Sequence, residues 1–147
     1  MVSRQDHALT GALLAYSILT RLGMPLEEVA AVVAAIGNHE EEYGHPVNDI
    51  GAALILADKS DVHRSRVLND DISAFDIHDR VNYAVEHSFL RVDAGQRSII
   101  LELTIDLSIS TPMEYFEIFL PRMMMCRRAA AFLGCTFGLL VNETRLL

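Results

Sequence analysis

Cysteine is scarce in this chain. Cys126 and Cys135 are the two present, nine apart, with no CxxC pair. That spacing excludes a disulfide framework or a cysteine zinc ribbon, and free thiols in a reducing compartment are the expected state. Positive charge is also in short supply: the net charge is −8, with five basic and nine acidic side chains in residues 1–66 and seven and eleven in residues 67–147. No basic face is left to neutralise a phosphate backbone, so a nucleic-acid partner is not expected. Long apolar runs are missing, because Gly, Pro or a charge breaks each one before it reaches membrane-spanning length. The opening "MVSRQDHALTG" lacks the charged head and apolar stretch of a signal peptide. The expectation is a soluble, cytoplasmic protein with no membrane partner. There is also no GxSxG, P-loop, dinucleotide fingerprint or internal repeat.

What is abundant is apolar content, 51 % of 147 residues. That is enough for one well-cored domain or for two small units leaning on each other. Residues 6–22, "DHALTGALLAYSILTRL", begin with Asp6 as an N-cap candidate, stay apolar on nearly every face and stop at Gly23, which predicts a buried helix. "MPLEEVAAVVAAIGNHEEE" puts Pro25 at a first helical position with Glu27 and Glu28 in the first turn, predicting a helix from Pro25 to Glu41. A third helix is expected from Val47 to Arg66, across the apolar run Ile50 to Ala57.

The pattern changes after Arg66. Residues 67–80 read as a polar connector, and Val81 to Ile109 as extended chain. In "SIILELTIDLSI" the residues Ile99, Leu101, Leu103, Ile105, Leu107 and Ile109 alternate with wetter ones, the signature of a strand with one buried face. "DAGQ" at 93–96 supplies the turn of a hairpin with "HSFLRV". "TPME" then forms a capping box, with Thr111 at the cap, Pro112 at the first position and Glu114 reaching back. The helix it opens is expected to run to Leu133, closed by Gly134 and kinked at Pro121. "TFGLLV" completes a ββαβ unit. The expected fold is α+β: three helices in residues 1–66, the connector, and a ββαβ unit in residues 81–147.

Three polar residues stand out in the helical part. His39 shares a helical face with Val32, Ala35 and Ile36, and Asp58 stacks on Gly51, Leu54 and Ile55, so both are expected to point inward. An unpaired carboxylate there costs several kcal/mol (~), so it needs a histidine, a base or a cation. His7, near the start of the first helix with Gly11 one turn on, is a third member. Imidazole and carboxylate from three helices suit Mn, Fe, Zn or Ni. The structural alternative is a buried Asp58–His39 hydrogen bond with His7 at an exposed helix start.

The segment "DHALTGALLAYSILTRLGMPLEEVAAVVAAIGNHEEEYGHPVNDIGAALILADKSD" resembles the second half of the catalytic core of HD-superfamily metal-dependent phosphohydrolases, HD-GYP domains included. The match covers residues 6–61. It implies that His7 binds the second metal of a binuclear site, that His39 stands for a histidine of the family's HHE segment with Asn38 in place of the other, and that Asp58 is the closing ligand of the first metal. Lys59, directly after it, would meet a substrate phosphate, and Glu40 would orient a ligand histidine. The cofactor implied is a divalent metal (Mn, Fe, Ni, Zn or Mg), and the partner a phosphorylated small molecule. In the family the first histidine and the HD dipeptide lie upstream of the position that His7 matches, and six residues precede His7 here. The three helices therefore read as a truncated remnant of the all-α HD core. In the alternative, a degenerate module without catalysis uses the uncovered apolar faces for binding or as a homodimer.

Other motifs have plainer readings. His78 and Asp79 form an HD dipeptide in the wrong order for the family and read as a surface or capping pair. Glu40, Glu41 and Glu42 read as a solvated helix end, and His45 and Pro46 as turn residues. His63, Arg64 and Arg66 read as a solvated helix C-terminus, with anion binding as the alternative, and "MMMC" at 123–126 as core or interface filling.

Overall fold

The computed structural model describes residues 6–41, 43–69 and 71–147. Helix α1 (His7–Arg21) ends as its glycine requires. Gly23 adopts φ +77, and Gly23 and Met24 N–H donate back to Thr20 and Leu19 carbonyls at 3.0 and 3.1 Å. Asp6 occupies the N-cap position but is left-handed, with φ 58, and its side chain makes no capping bond.

The expected ends of the next two helices move inward. Helix α2 (Leu26–Gly37) starts after Pro25, which sits at the N-cap, and stops four residues short of Glu41. Two side chains account for the early stop. Asn38 Nδ2 donates to the Ala34 carbonyl (2.9 Å) and His39 Nδ1 to the Ile36 carbonyl (2.6 Å), taking acceptors that a continuing helix would use. His39 therefore stands beyond the helix rather than on its apolar face. Glu42 lies outside the described residues.

Helix α3 (Asp49–Ser60) is capped by Asn48, whose side chain accepts from Gly51 N–H at 2.7 Å. It ends six residues before Arg66. Val62 turns into the core, fully buried, and a single 3₁₀ turn (Arg64–Arg66) follows, capped by His63.

Helix α4 (Ile77–Ala84) replaces the end of the expected connector and the start of the expected extended region. Asp76 caps it by accepting from Asp79 N–H at 2.7 Å, and Val81 and Ala84 are buried. His78 is exposed in its first turn. The antiparallel hairpin of β1 (Val85–Asp93) and β2 (Ser98–Ile105) forms as expected, with Asp93 Oδ1 accepting from Gln96 N–H in the turn. Strand β2 stops at Ile105, not Ile109, because Asp106 Oδ1 takes the N–H and hydroxyl of Ser108 at 2.9 and 2.7 Å and folds the chain into an Asx turn.

Both halves of the capping box are present in α5 (Pro112–Phe132). Thr111 Oγ1 accepts from Glu114 N–H, and Glu114 Oε2 accepts from Thr111 N–H at 2.8 Å. Pro121 lies inside the helix. Strand β3 (Thr136–Val141) returns parallel to β2, and a short β4 (Thr144–Arg145), absent from the sequence expectation, turns back on it through left-handed Asn142 and Glu143. The sheet order is β1-β2-β3-β4.

The architecture is α+β. Ile99, Leu101, Leu103 and Ile105 face α5, whose Tyr115, Phe119, Met123, Met125, Cys126, Ala129 and Ala130 are buried against them. Ala52, Ile55 and Leu56 of α3 join the same core. Thus α3 packs on α5, α2 leans on α3, and α1 packs on α2. Among the described residues no helix is long and apolar enough to cross a membrane.

Candidate functional site

Antiparallel packing of α1 on α2 brings the first residue of α1 beside the chain that leaves α2, and this is where the histidines meet. His7 Nε2 lies 3.1 Å from His39 Nε2, with the rings edge to face at 81°. Each opposite ring nitrogen is engaged. His7 Nδ1 stands 2.9 Å from Glu40 Oε2, and His39 Nδ1 donates to the Ile36 carbonyl. The carbonyl can only accept, so the proton of a neutral His39 is on Nδ1 and its Nε2 presents a lone pair. An ionised Glu40 would fix His7 in the same way, whereas a proton held by Glu40, whose carboxyl is raised by its hydrogen bond to Glu41, leaves the His7 proton on Nε2, from which it is donated to His39. Two lone pairs at this distance repel unless a proton or a cation lies between them.

Loop 38–48 is held by Gly44. A Cβ there would overlap the carbonyl oxygens of Asn38 and Glu40, and Gly44 N–H donates to Glu40 O at 2.8 Å. That close approach sets the turn in which His39, Glu40 and Glu41 follow one another. On the α1 side, a Cβ on Gly11 would come within 3.2 Å of Ile36 Cγ2, so the glycine keeps the two helices close.

Asp58 does not join the histidines. His39 Nδ1 is on the Ile36 carbonyl and its Nε2 faces His7, so the Asp58–His39 hydrogen bond of the structural alternative does not form. The Asp58 side chain is 37 % exposed rather than turned inward, and its Oδ2 lies 2.7 Å from Lys59 Nζ. Lys59 is the buried one, 2 % exposed, with Glu41 Oε2 at 3.0 Å as its second carboxylate. Arg122 of α5 completes the cluster: Nη2 donates to the Asp58 carbonyl at 2.7 Å, and Nε stands 3.3 Å from Glu41 Oε1. Burial works to raise the Glu41 carboxyl, but hydrogen bonds to Glu40 and Lys59 prevail and hold it at about 2. Its neighbour Glu40 is raised, by the hydrogen bond to Glu41 first and by burial second.

The residues fit one half of a metal centre. Two nitrogens each about 2.0–2.1 Å from one ion, at roughly right-angled to tetrahedral separation, are about 2.8–3.4 Å apart, and the Nε2 pair at 3.1 Å falls in that range. Holding the far nitrogens on a carboxylate and a backbone carbonyl is the outer arrangement that metal-binding histidines require. The set of ligands is short, however. Among the described residues there is no group of three or more His, Cys, Asp or Glu side chains that could hold a metal ion.

The helix-end readings do not hold: α3 stops at Ser60, so Arg64 and Arg66 lie on a separate 3₁₀ turn, and Glu40 and Glu41 lie in the loop after α2, against His7 and Lys59 rather than on a solvated helix end. Arg64 pairs with Glu86 and Arg66 with Asp61. His63 Nε2 donates to the Glu86 carbonyl and its Nδ1 accepts from Ser65. Met123, Met125 and Cys126 are core, and burial pushes the Cys126 thiol up to about 12, where it is inert. Arg122 escaped the sequence reading. Its one signal there is an arginine set in the apolar stretch "FLPRMMMC". Comparison with protein-family models, curated proteins and solved structures returned no match.

Proposed function

We propose that this chain is part of the core of an HD-type metal-dependent phosphohydrolase, acting on the phosphoester of a phosphorylated small molecule, with His7 and His39 as two imidazole ligands of one divalent metal. One observation carries this reading: the two Nε2 atoms face each other at 3.1 Å while both Nδ1 atoms are held from behind. A bound divalent metal supplies a water of lowered pKa and polarises the phosphoryl group. The chain's own contribution is positioning. Glu40 and the Ile36 carbonyl orient the imidazoles, and Gly44 holds the turn that carries Glu40 and His39. Through the family resemblance Lys59 enters as a cation for phosphate, while Asp58, which the resemblance assigns to the other metal of a binuclear site, is here engaged by Lys59 and is not a ligand of the histidine-held ion.

The flanks of α1 support the same reading. Leu9, Leu13 and Tyr16 on one side of the helix, and Leu14, Ile18 and Leu22 on the other, are exposed, an apolar surface that calls for a cover. In an HD core, further helices bearing the remaining ligands occupy that place. The same surface also favours the second reading, a non-catalytic module that pairs with a second copy into a homodimer.

Incubation with Mn²⁺ and p-nitrophenyl phosphate or a nucleotide tests the first reading. Metal-dependent hydrolysis that His39→Ala abolishes is expected, and hydrolysis indifferent to His39 contradicts it. A metal-free dimer by sedimentation, with no hydrolysis, decides for the module.

A further inference from the structure

The chain contains one lysine, Lys59, and buries it. An ammonium taken out of water needs compensating partners, and its two are carboxylates of different standing. Asp58 is its neighbour on α3. Glu41 comes from the loop between α2 and α3, so it is the one charged member of the Lys59–Asp58–Glu41–Arg122 cluster that is not carried on a helix. Arg122 reaches in from α5 with its side chain 16 % exposed. Its Nη2 is anchored on the Asp58 carbonyl, but its Nε is buried and makes no hydrogen bond, although Glu41 Oε1 lies 3.3 Å away. Lys59 and Arg122 thus stand beside different oxygens of one carboxylate, and the buried Arg122 Nε–H does not point at its oxygen and is left without an acceptor. A carboxylate has two oxygens in a plane. A phosphate offers a third and a fourth, and a guanidinium edge beside an ammonium suits it.

We infer that Lys59 and Arg122 form a cradle for one terminal phosphate group, and that Glu41 fills the cradle until phosphate displaces it. The inference rests on the phosphohydrolase reading and adds Arg122, from the C-terminal half, as a binding residue. It also links the two parts of the site. Glu41 follows Glu40, the residue that holds His7, so displacing Glu41 disturbs the carboxylate that orients an imidazole of the pair.

The test uses the full chain without metal, titrated at constant ionic strength with inorganic phosphate and, separately, with phenyl phosphate, followed by ³¹P NMR and calorimetry. Glu41→Gln, which keeps the shape and removes the competing charge, is expected to bind phosphate at least tenfold more tightly than the parent. Adding Arg122→Gln is expected to remove that gain. Glu41→Asp, too short to span the two cations, is the second variant and is expected to give an intermediate gain. Circular dichroism checks the fold of each. Equal phosphate affinity in the parent, Glu41→Asp, Glu41→Gln and the double variant overturns the inference. If phenyl phosphate gains as much as inorganic phosphate, the cradle takes an esterified group, and if only inorganic phosphate gains, it takes the released product. Co²⁺ binding measured on the same samples separates the two ideas: phosphate indifference with Co²⁺ binding intact removes the cradle and leaves the metal reading standing.

Discussion

Helices α1 and α5 both carry long apolar side chains and treat them in opposite ways. In α5 the large residues Tyr115, Phe119, Met123 and Met125 are buried against the sheet, whereas in α1 the buried residues are Ala8 and Ala12 and Leu13 is 72 % exposed. The region from α3 to β4 closes a core on itself. The α1–α2 hairpin rests on that core through α2 and α3 and leaves its leucines outside. Stability therefore belongs to one region, while the candidate chemistry, His7, His39 and Glu40, lies on the other. A site mounted on the less buried region can be altered without unfolding the more buried one.

Large-to-small substitution should show this asymmetry most strongly. Leu101→Ala, at a fully buried position in β2, is expected to cost about 2–5 kcal/mol in denaturant melts. Leu13→Ala in α1 should fall within about 0.5 kcal/mol of the parent. Equal costs would mean that α1 is covered in solution, and the comparison would fail.

Gly44→Ala comes next. The added methyl overlaps two carbonyl oxygens, and overpacking of this kind costs roughly 1–3 kcal/mol. Because the strain is confined to the loop, hydrogen exchange should quicken around residues 38–48 and stay unchanged in β2 and α5.

Thr111→Ala is smaller, about 1 kcal/mol, for the loss of the α5 cap. The cap also carries a pH signature. The Thr111 backbone N–H, followed by Arg80 and Ser110, holds the Glu114 carboxyl at about 2 against an ordinary 4.5. Between those values the unfolded chain binds more protons than the native one. The contribution is therefore complete above 4.5 and lost as pH falls toward 2. Glu114→Gln should lower stability at pH 7 and match the parent near pH 2. A constant difference across that window would sink the assignment.

Much of the buried region was legible beforehand because its signals are local. Alternation from Ile99 to Ile105, the DAGQ turn and the Thr111–Glu114 box each specify structure within a few residues. Helix α4 was missed although Ile77, Val81 and Ala84 share a helical face, because that stripe is short and set among polar residues. The ends of α2 and α3 depend on side chains folding back onto backbone carbonyls and on Val62 turning inward, which apolar periodicity does not report. In the candidate site, His7 and His39 are brought together, but Asp58 turns to Lys59. Arg122 could not have been found from spacing, because its acceptor lies 64 residues away and only the packing of α3 on α5 joins them.

Cobalt binding tests the central claim most directly. Titrating the full chain with Co²⁺ and following the visible ligand-field bands should show imidazole ligation at one site, weakened at least tenfold by His7→Ala and by His39→Ala and less by Glu40→Gln, with the melting curve of the α3–β4 core unchanged in all three. Co²⁺ affinity and spectrum identical in parent and His39→Ala would contradict the assignment of the facing imidazoles as metal ligands.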